Sequence, residues 1–182
     1  MGAMLPHSYV NTGEWTMDVT VDGNMASARV DKLWLAASGG HPITDETWRE
    51  YLGHSAASVR SQGPFHGVLF WAPKYGPSGP QRKMLTDDFA EAVRLDLQRC
   101  VVVISTSALA RGTMTAINWF TRSRLAAFAP EEASRALDWL AKDIEFDRTE
   151  GQRALDEIVR AVQGRDGSGA RGHDGEVVHR LG

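Results

Sequence analysis

Ser78 and Gln81 stand three residues apart inside Gly76-Pro77-Ser78-Gly79-Pro80-Gln81-Arg82-Lys83, and a second hydroxyl cluster, Ser105-Thr106-Ser107, follows the apolar run Cys100-Val101-Val102-Val103-Ile104. Three chemistries fit these residue types. A serine at a helix start can accept a phosphoryl group. Hydroxyls and backbone N–H groups at helix N-termini, joined by Arg82, Lys83 and Arg111, can hold a phosphate or carboxylate. The third reading needs no ligand: Ser78 with Gln81 is a capping box with Pro80 in the first turn, and Ser105 to Ser107 begins another helix. This helix-start reading leads. Ser78 stays as the phosphoacceptor candidate, and Ser78, Gln81, Arg82, Lys83, Ser105, Thr106, Ser107 and Arg111 form the candidate anion or partner loop.

No catalytic or metal set can be assembled from the other reactive residues. Asp87 and Asp88 are neighbours on a predicted helix and point in different directions. His41, His54 and His66 lack metal-ligand spacing, and neither His-Glu-x-x-His nor Cys-x-x-Cys occurs. There is no Gly-x-Ser-x-Gly nucleophile elbow. Cys100 is the single cysteine; at the head of an apolar run it reads as a buried, inert thiol. Trp48, Trp71 and Trp119 fall on apolar faces and read as core, with an aromatic ligand pocket as the alternative. The expectation is therefore no catalytic residue, no metal and no cofactor.

The elements that must position the two loops follow from periodicity. Trp15 to Asp22 alternates polar and apolar residues, Asp22-Gly23-Asn24 gives a turn, and Ala26 to Leu35 resumes as a strand. Thr44 is placed to cap a helix with Asp45 and Glu46 in its first turn. Trp48, Leu52, Ala56 and Val59 form its stripe, and Gly63-Pro64 ends it. Phe65 to Trp71, Cys100 to Ile104 and Arg124 to Phe128 read as buried strands. Between them lie helices carrying Leu85, Phe89, Ala92, Val93 and Leu97, and then Met114, Ile117 and Phe120. Pro130-Glu131-Glu132 opens a helix facing Ala133, Ala136, Leu137 and Leu140 inward. Thr149 and Gln152 look like a capping box before Leu155, Ile158, Val159 and Val162. Such alternation predicts a mixed, largely parallel five-stranded sheet in the α/β class. Its ligands and partners are met at the carboxyl ends of the strands.

The 182 residues, 42% hydrophobic and 24% charged, suit one globular domain with tails. A net charge of -3 gives no global basic field, which argues against a dedicated nucleic-acid binder. Ala108 to Ala129 is greasy, but Arg111, Asn118, Arg122 and Arg124 interrupt it short of a membrane span. Met1 to Val10 lacks a signal-peptide pattern, so a reducing cytoplasm is expected. Gly164 to Gly182 is glycine-rich and charge-balanced, which predicts a disordered tail. The expected divisions are an N-terminal extension over 1–14, a domain over 15–143, a helix over 144–163 and the tail over 164–182.

Two segments carry a resemblance. Val101-Val-Val-Ile-Ser-Thr-Ser-Ala-Leu-Ala-Arg-Gly-Thr-Met-Thr-Ala-Ile-Asn-Trp-Phe120 and Phe128-Ala-Pro-Glu-Glu-Ala-Ser-Arg-Ala-Leu-Asp-Trp-Leu140 resemble the SpoIIAA-like branch of the STAS fold, over roughly Trp15 to Lys142. The segment Gly76 to Arg82 is similar to a loop of bacterial stand-alone members. The resemblance implies a mixed sheet with helices packed mainly against one face. It also implies a non-catalytic regulatory or protein-interaction module of the partner-switching kind, or alternatively a carrier or sensor of an apolar, lipid or anionic ligand. Anti-sigma-factor antagonists carry a phosphorylatable Ser in an Asp-Ser-Ser-Gly type motif. The corresponding loop here holds Ser78 without that motif. An unidentified protein partner, a small ligand and a homodimer are all compatible with this reading.

Overall fold

Val30 and Leu33 pair across a two-residue turn at Asp31 and Lys32, where Asp31 takes φ 49°. This left-handed backbone is uncommon outside glycine, and Asp and Asn tolerate it best. The turn divides what reads in sequence as one strand over Ala26 to Leu35. The sheet consequently has six strands instead of five in this computed structural model, which describes residues 19–84, 100–108 and 124–166. They are β1 (Thr20–Asp22), β2 (Met25–Val30), β3 (Leu33–Ser38), β4 (Gly67–Trp71), β5 (Cys100–Ile104) and β6 (Arg124–Phe128), in that spatial order. The pairs β1–β2 and β2–β3 are antiparallel; β3–β4, β4–β5 and β5–β6 are parallel. The mixed, largely parallel sheet is as expected. The expected extension over 1–14, the helical stripes from Leu85 to Leu97 and from Met114 to Phe120, Asp87, Asp88, Trp119, Arg111 and the tail beyond 166 lie outside the described residues.

The first hairpin turns at Gly23, with φ 55°. A Cβ there would also sit 2.5 Å from Thr47 Oγ1, so glycine is required twice over. The second turn brings β3 back into the middle of the sheet, where all six of its residues are buried. Burial on both faces means cover on both faces, and among the described residues helices pack against each. Helix α1 (Asp45–Gln62) covers the face carrying Met25, Trp34, Ala36, Val68 and Phe70. Helices α2 (Ala133–Leu140) and α3 (Arg148–Asp166) cover the face carrying Ala28, Leu33, Leu35, Leu69, Cys100 and Val102. The period-two alternation of β3 points successive side chains at opposite helical layers.

Thr44 caps α1 as expected, its hydroxyl accepting the Thr47 N–H at 3.1 Å. The buried stripe is Thr47, Trp48, Tyr51, Leu52 and Ser55; Ala56 and Val59 are only half-buried. Helix α3 is capped by Asp147, whose carboxylate accepts the Glu150 N–H at 2.8 Å. Thr149 therefore lies inside the helix and does not cap it, and the helix runs on past 163. Gly151 costs α3 about 1 kcal/mol relative to Ala, but a Cβ there would lie 2.9 Å from Phe146 Cε2. Burial of Leu155, Ile158 and Val162 contributes roughly 1.5–3 kcal/mol each and outweighs that cost. This helix belongs to the main core.

A half-buried ionic group, Arg29, joins β2 to α1. Arg29 Nη1 donates to Gly63 O at 2.8 Å, Ser58 O at 3.2 Å and Ser58 Oγ at 3.1 Å, while Nε donates to Asp31 O at 2.8 Å. The guanidinium thus satisfies carbonyls at the C-terminal end of α1, where positive charge is also favoured by the helix dipole. Desolvation lowers its pKa and Asp31 works in the opposite direction. Arg29→Lys, which keeps the charge and loses the fork, is expected to cost about 1–3 kcal/mol in urea unfolding. A cost within error of zero would contradict this role.

Under α1 the rings of Trp34, Trp48, Tyr51, Phe65 and Phe70 pack with centroids 5.0 to 6.4 Å apart. Trp34 Nε1 donates to the Tyr51 hydroxyl at 3.2 Å. Burial pushes the Tyr51 pKa up to about 12. A group raised in the folded state stabilises the fold below its unfolded pKa, about 10 for tyrosine, and loses that contribution as pH rises. Stability is therefore expected to fall between about pH 10 and the folded value of about 12, with a shallower fall in Tyr51→Phe. Parallel curves for the two proteins would contradict the assignment.

Candidate functional site

Because β3 to β6 run parallel, their carboxyl ends meet at one edge: Ala37 pairs with Trp71, Trp71 with Ile104 and Ile104 with Phe128. The loops singled out in the sequence both leave from this edge. Hydrogen bonds join them. Pro73 O accepts the Thr106 N–H at 3.1 Å and also the Thr106 hydroxyl. Ala72 N–H donates to Ile104 O at 2.8 Å, and Ser105 N–H donates to Phe128 O at 3.0 Å. From the other side Ser38 Oγ, buried at the end of β3, donates to Tyr75 O at 2.8 Å.

The capping box is present in both directions. Ser78 N–H donates to Gln81 Oε1 at 2.9 Å, and Gln81 N–H donates to Ser78 Oγ at 3.3 Å. It opens the helical segment 79–84. Gln81 does more than cap. Its Nε2 donates to Ile43 O at 2.8 Å and to Asp45 Oδ1 at 2.9 Å, and its backbone carbonyl accepts the Trp48 indole N–H at 2.8 Å. Gln81 is 3% exposed. A buried carboxamide must have both donors and its acceptor satisfied, and here each is.

The predicted loop residues thus divide. Gln81 and Ser105 are buried and hold the edge together. Ser78, Arg82, Lys83, Thr106 and Ser107 are exposed. Arg82 Nη1 donates to Pro77 O at 2.7 Å, stiffening the loop just before the cap. The Gln81 and Ser107 N–H groups, which an anion at these helix starts would use, are accepted by Ser78 Oγ and by Ser105 Oγ, the latter at 3.2 Å. Ser38, Pro73, Tyr75 and Ile43 carry no site signal in the sequence, and Asp45 is marked there only as a first-turn acid of α1. Their roles depend on backbone carbonyls and on partners more than thirty residues away in Gln81, Tyr75 and Thr106.

A shallow groove of about 480 Å³ lies at the opposite, amino edge, lined by Asp31, Lys32, Glu145, Phe146 and Asp147. Two of its acids have structural work: Asp31 Oδ2 accepts the Asp147 N–H at 3.2 Å, and Asp147 caps α3. No cluster of three or more His, Cys, Asp or Glu suited to a metal occurs among the described residues. No helix among them is long and apolar enough to cross a membrane.

A scan against protein families finds no match for the chain, and no curated protein matches it. Among solved structures it is similar to an uncharacterised protein of the DUF3478 family from Shewanella loihica PV-4, described as having a SpoIIAA-like fold. Identity is 18%, the TM-score is 0.48, and the match covers 71% of this chain and 99% of that one.

The hub role of Gln81 makes a ranking. Ser78→Ala should cost about 0.5–2 kcal/mol and Ser78→Asp a few tenths at most, since Asp caps as well as Ser. Gln81→Leu should cost more than Ser78→Ala, because it leaves buried partners unsatisfied at about 1–3 kcal/mol each. Chemical denaturation of the three variants checks the order, and a Gln81→Leu milder than Ser78→Ala would contradict the hub.

Proposed function

We propose that this chain is a non-catalytic, regulatory protein-interaction module of the bacterial cytoplasm that meets its partner through the loops at the carboxyl edge of the sheet. The observation that supports this reading is the mutual hydrogen bonding of those loops. Ser38 holds Tyr75, Thr106 holds Pro73, Ser105 holds Ser107 and Gln81 holds Ile43 and Asp45, which presents a fixed outer surface containing Lys74, Ser78, Arg82 and Lys83. A pre-organised surface loses little conformational freedom on association.

Ser78 is the candidate switch within that surface. It is exposed and sits at the start of a helical segment. A phosphoryl group would add about -1.5 to -2 charges there. Negative charge at a helix start is compatible with the fold, so modification would alter recognition and leave the domain intact. The ligand-carrier reading has less support, since the aromatic side chains that would line an apolar pocket pack against each other under α1.

The test is capture of a partner from an extract of the source organism on immobilised Ser78, Ser78→Asn and Ser78→Asp proteins. The expected result is a partner retained by the first two and lost by Ser78→Asp, with all three folded by circular dichroism. Equal capture by all three would sink the switch.

A further inference from the structure

We propose that Gln81 couples the Ser78 loop to the N-terminus of α1, so that a change in the cap at Ser78 is felt in the first turn of that helix. The inference rests on the carboxyl-edge reading for its biological use, but the coupling belongs to the chain alone and is measured without a partner.

The geometry that carries it is a relay through one side chain. On one side, Gln81 Oε1 accepts the Ser78 N–H at 2.9 Å and the Gln81 N–H donates to Ser78 Oγ at 3.3 Å. On the other, Nε2 donates to Ile43 O and Asp45 Oδ1 at 2.8 and 2.9 Å. These two acceptors bracket Thr44, whose hydroxyl and carbonyl accept the Thr47 and Trp48 N–H groups at 3.1 and 3.0 Å. The amide plane is rigid, and at 3% exposure no water can replace a lost partner without cost. Removing the Ser78 hydroxyl leaves the Gln81 backbone N–H without its cap, loosens the turn that carries the Gln81 side chain, and so weakens its hold on Ile43 O and Asp45 Oδ1 on either side of Thr44. A contiguous chain of hydrogen bonds of this kind is a physical route for coupling between two surface positions.

The exposed residues of that first turn, Asp45 and Glu46, with His41 and Pro42 ahead of them, therefore join the surface that senses Ser78. A partner contacting them would respond to Ser78 without touching it.

Gln81→Glu separates the two halves of the relay. Glutamate preserves the acceptor of the capping box and removes both Nε2 donors. Backbone amide hydrogen exchange at Thr47 and Trp48 is the readout. Ser78→Ala is expected to speed exchange there about three- to tenfold in the otherwise native chain, and by less than about twofold in the Gln81→Glu background. The same factor in both backgrounds, or no change in the native one, would overturn the coupling. If Gln81→Glu fails to fold, Asp45→Ala removes one acceptor at an exposed position. The Ser78→Ala effect should then shrink by at least about half, and an undiminished effect would overturn the proposal. Failure of partner capture would leave these exchange results unchanged, so the two proposals fail separately.

Discussion

The buried carboxamide of Gln81 is the constraint on which the carboxyl edge depends. A primary amide offers two donors and a carbonyl oxygen in one plane, and three elements supply the matching groups: the Ser78 backbone, the segment leading into α1, and α1 itself through Asp45. The Trp48 indole, bound to the Gln81 backbone carbonyl, ties the same residue into the aromatic layer beneath α1. Leaving any of these unmet in the interior costs about as much as a typical destabilising mutation. The segment 76–84 therefore has one position relative to α1. The Thr106–Pro73 and Ser38–Tyr75 contacts fix the rest of the edge from either side.

How much of this was legible depended on the range of the interaction. Cys100–Ile104 and Arg124–Phe128 fall where the apolar runs place them, and the caps at Thr44 and Ser78 involve neighbours three residues away. The break at Asp31 was not legible, because a non-glycine residue in left-handed backbone carries no strong signal in a run of strand-forming neighbours. Asp147 and Thr149 compete for one helix start, and the carboxylate contact between Asp31 and the Asp147 N–H favours the former. The placement of α1 opposite α2 and α3 is a tertiary choice. It shows in sequence only as the apolar run Leu33 to Ala37 of β3, which puts apolar residues on both faces. The Gln81 side chain was read correctly as half of a cap, while its bonds to Ile43 and Asp45 span chain separations that no local pattern encodes.

The two ends of the sheet are built differently. At the amino edge, Arg29 closes the C-terminus of α1, Arg124 pairs with Asp143 and stacks over Trp139, and Asp31 holds the start of α3. There the charged side chains tie helices to the sheet. At the carboxyl edge the Gln81 amide and the hydroxyls of Ser38, Ser78 and Thr106 join the loops, with the Asp45 carboxylate as one acceptor, and Lys74, Arg82 and Lys83 are exposed. This difference supports the proposal that recognition takes place at the carboxyl edge.

Photo-crosslinking in an extract of the source organism tests that placement most directly, with the crosslinker carried at Gly79 on the carboxyl edge or at Glu145 on the amino edge. The account predicts a discrete crosslinked species from position 79 that competes with added unlabelled protein, and none from position 145. The same species from both positions, or a competed species from 145 alone, would contradict it.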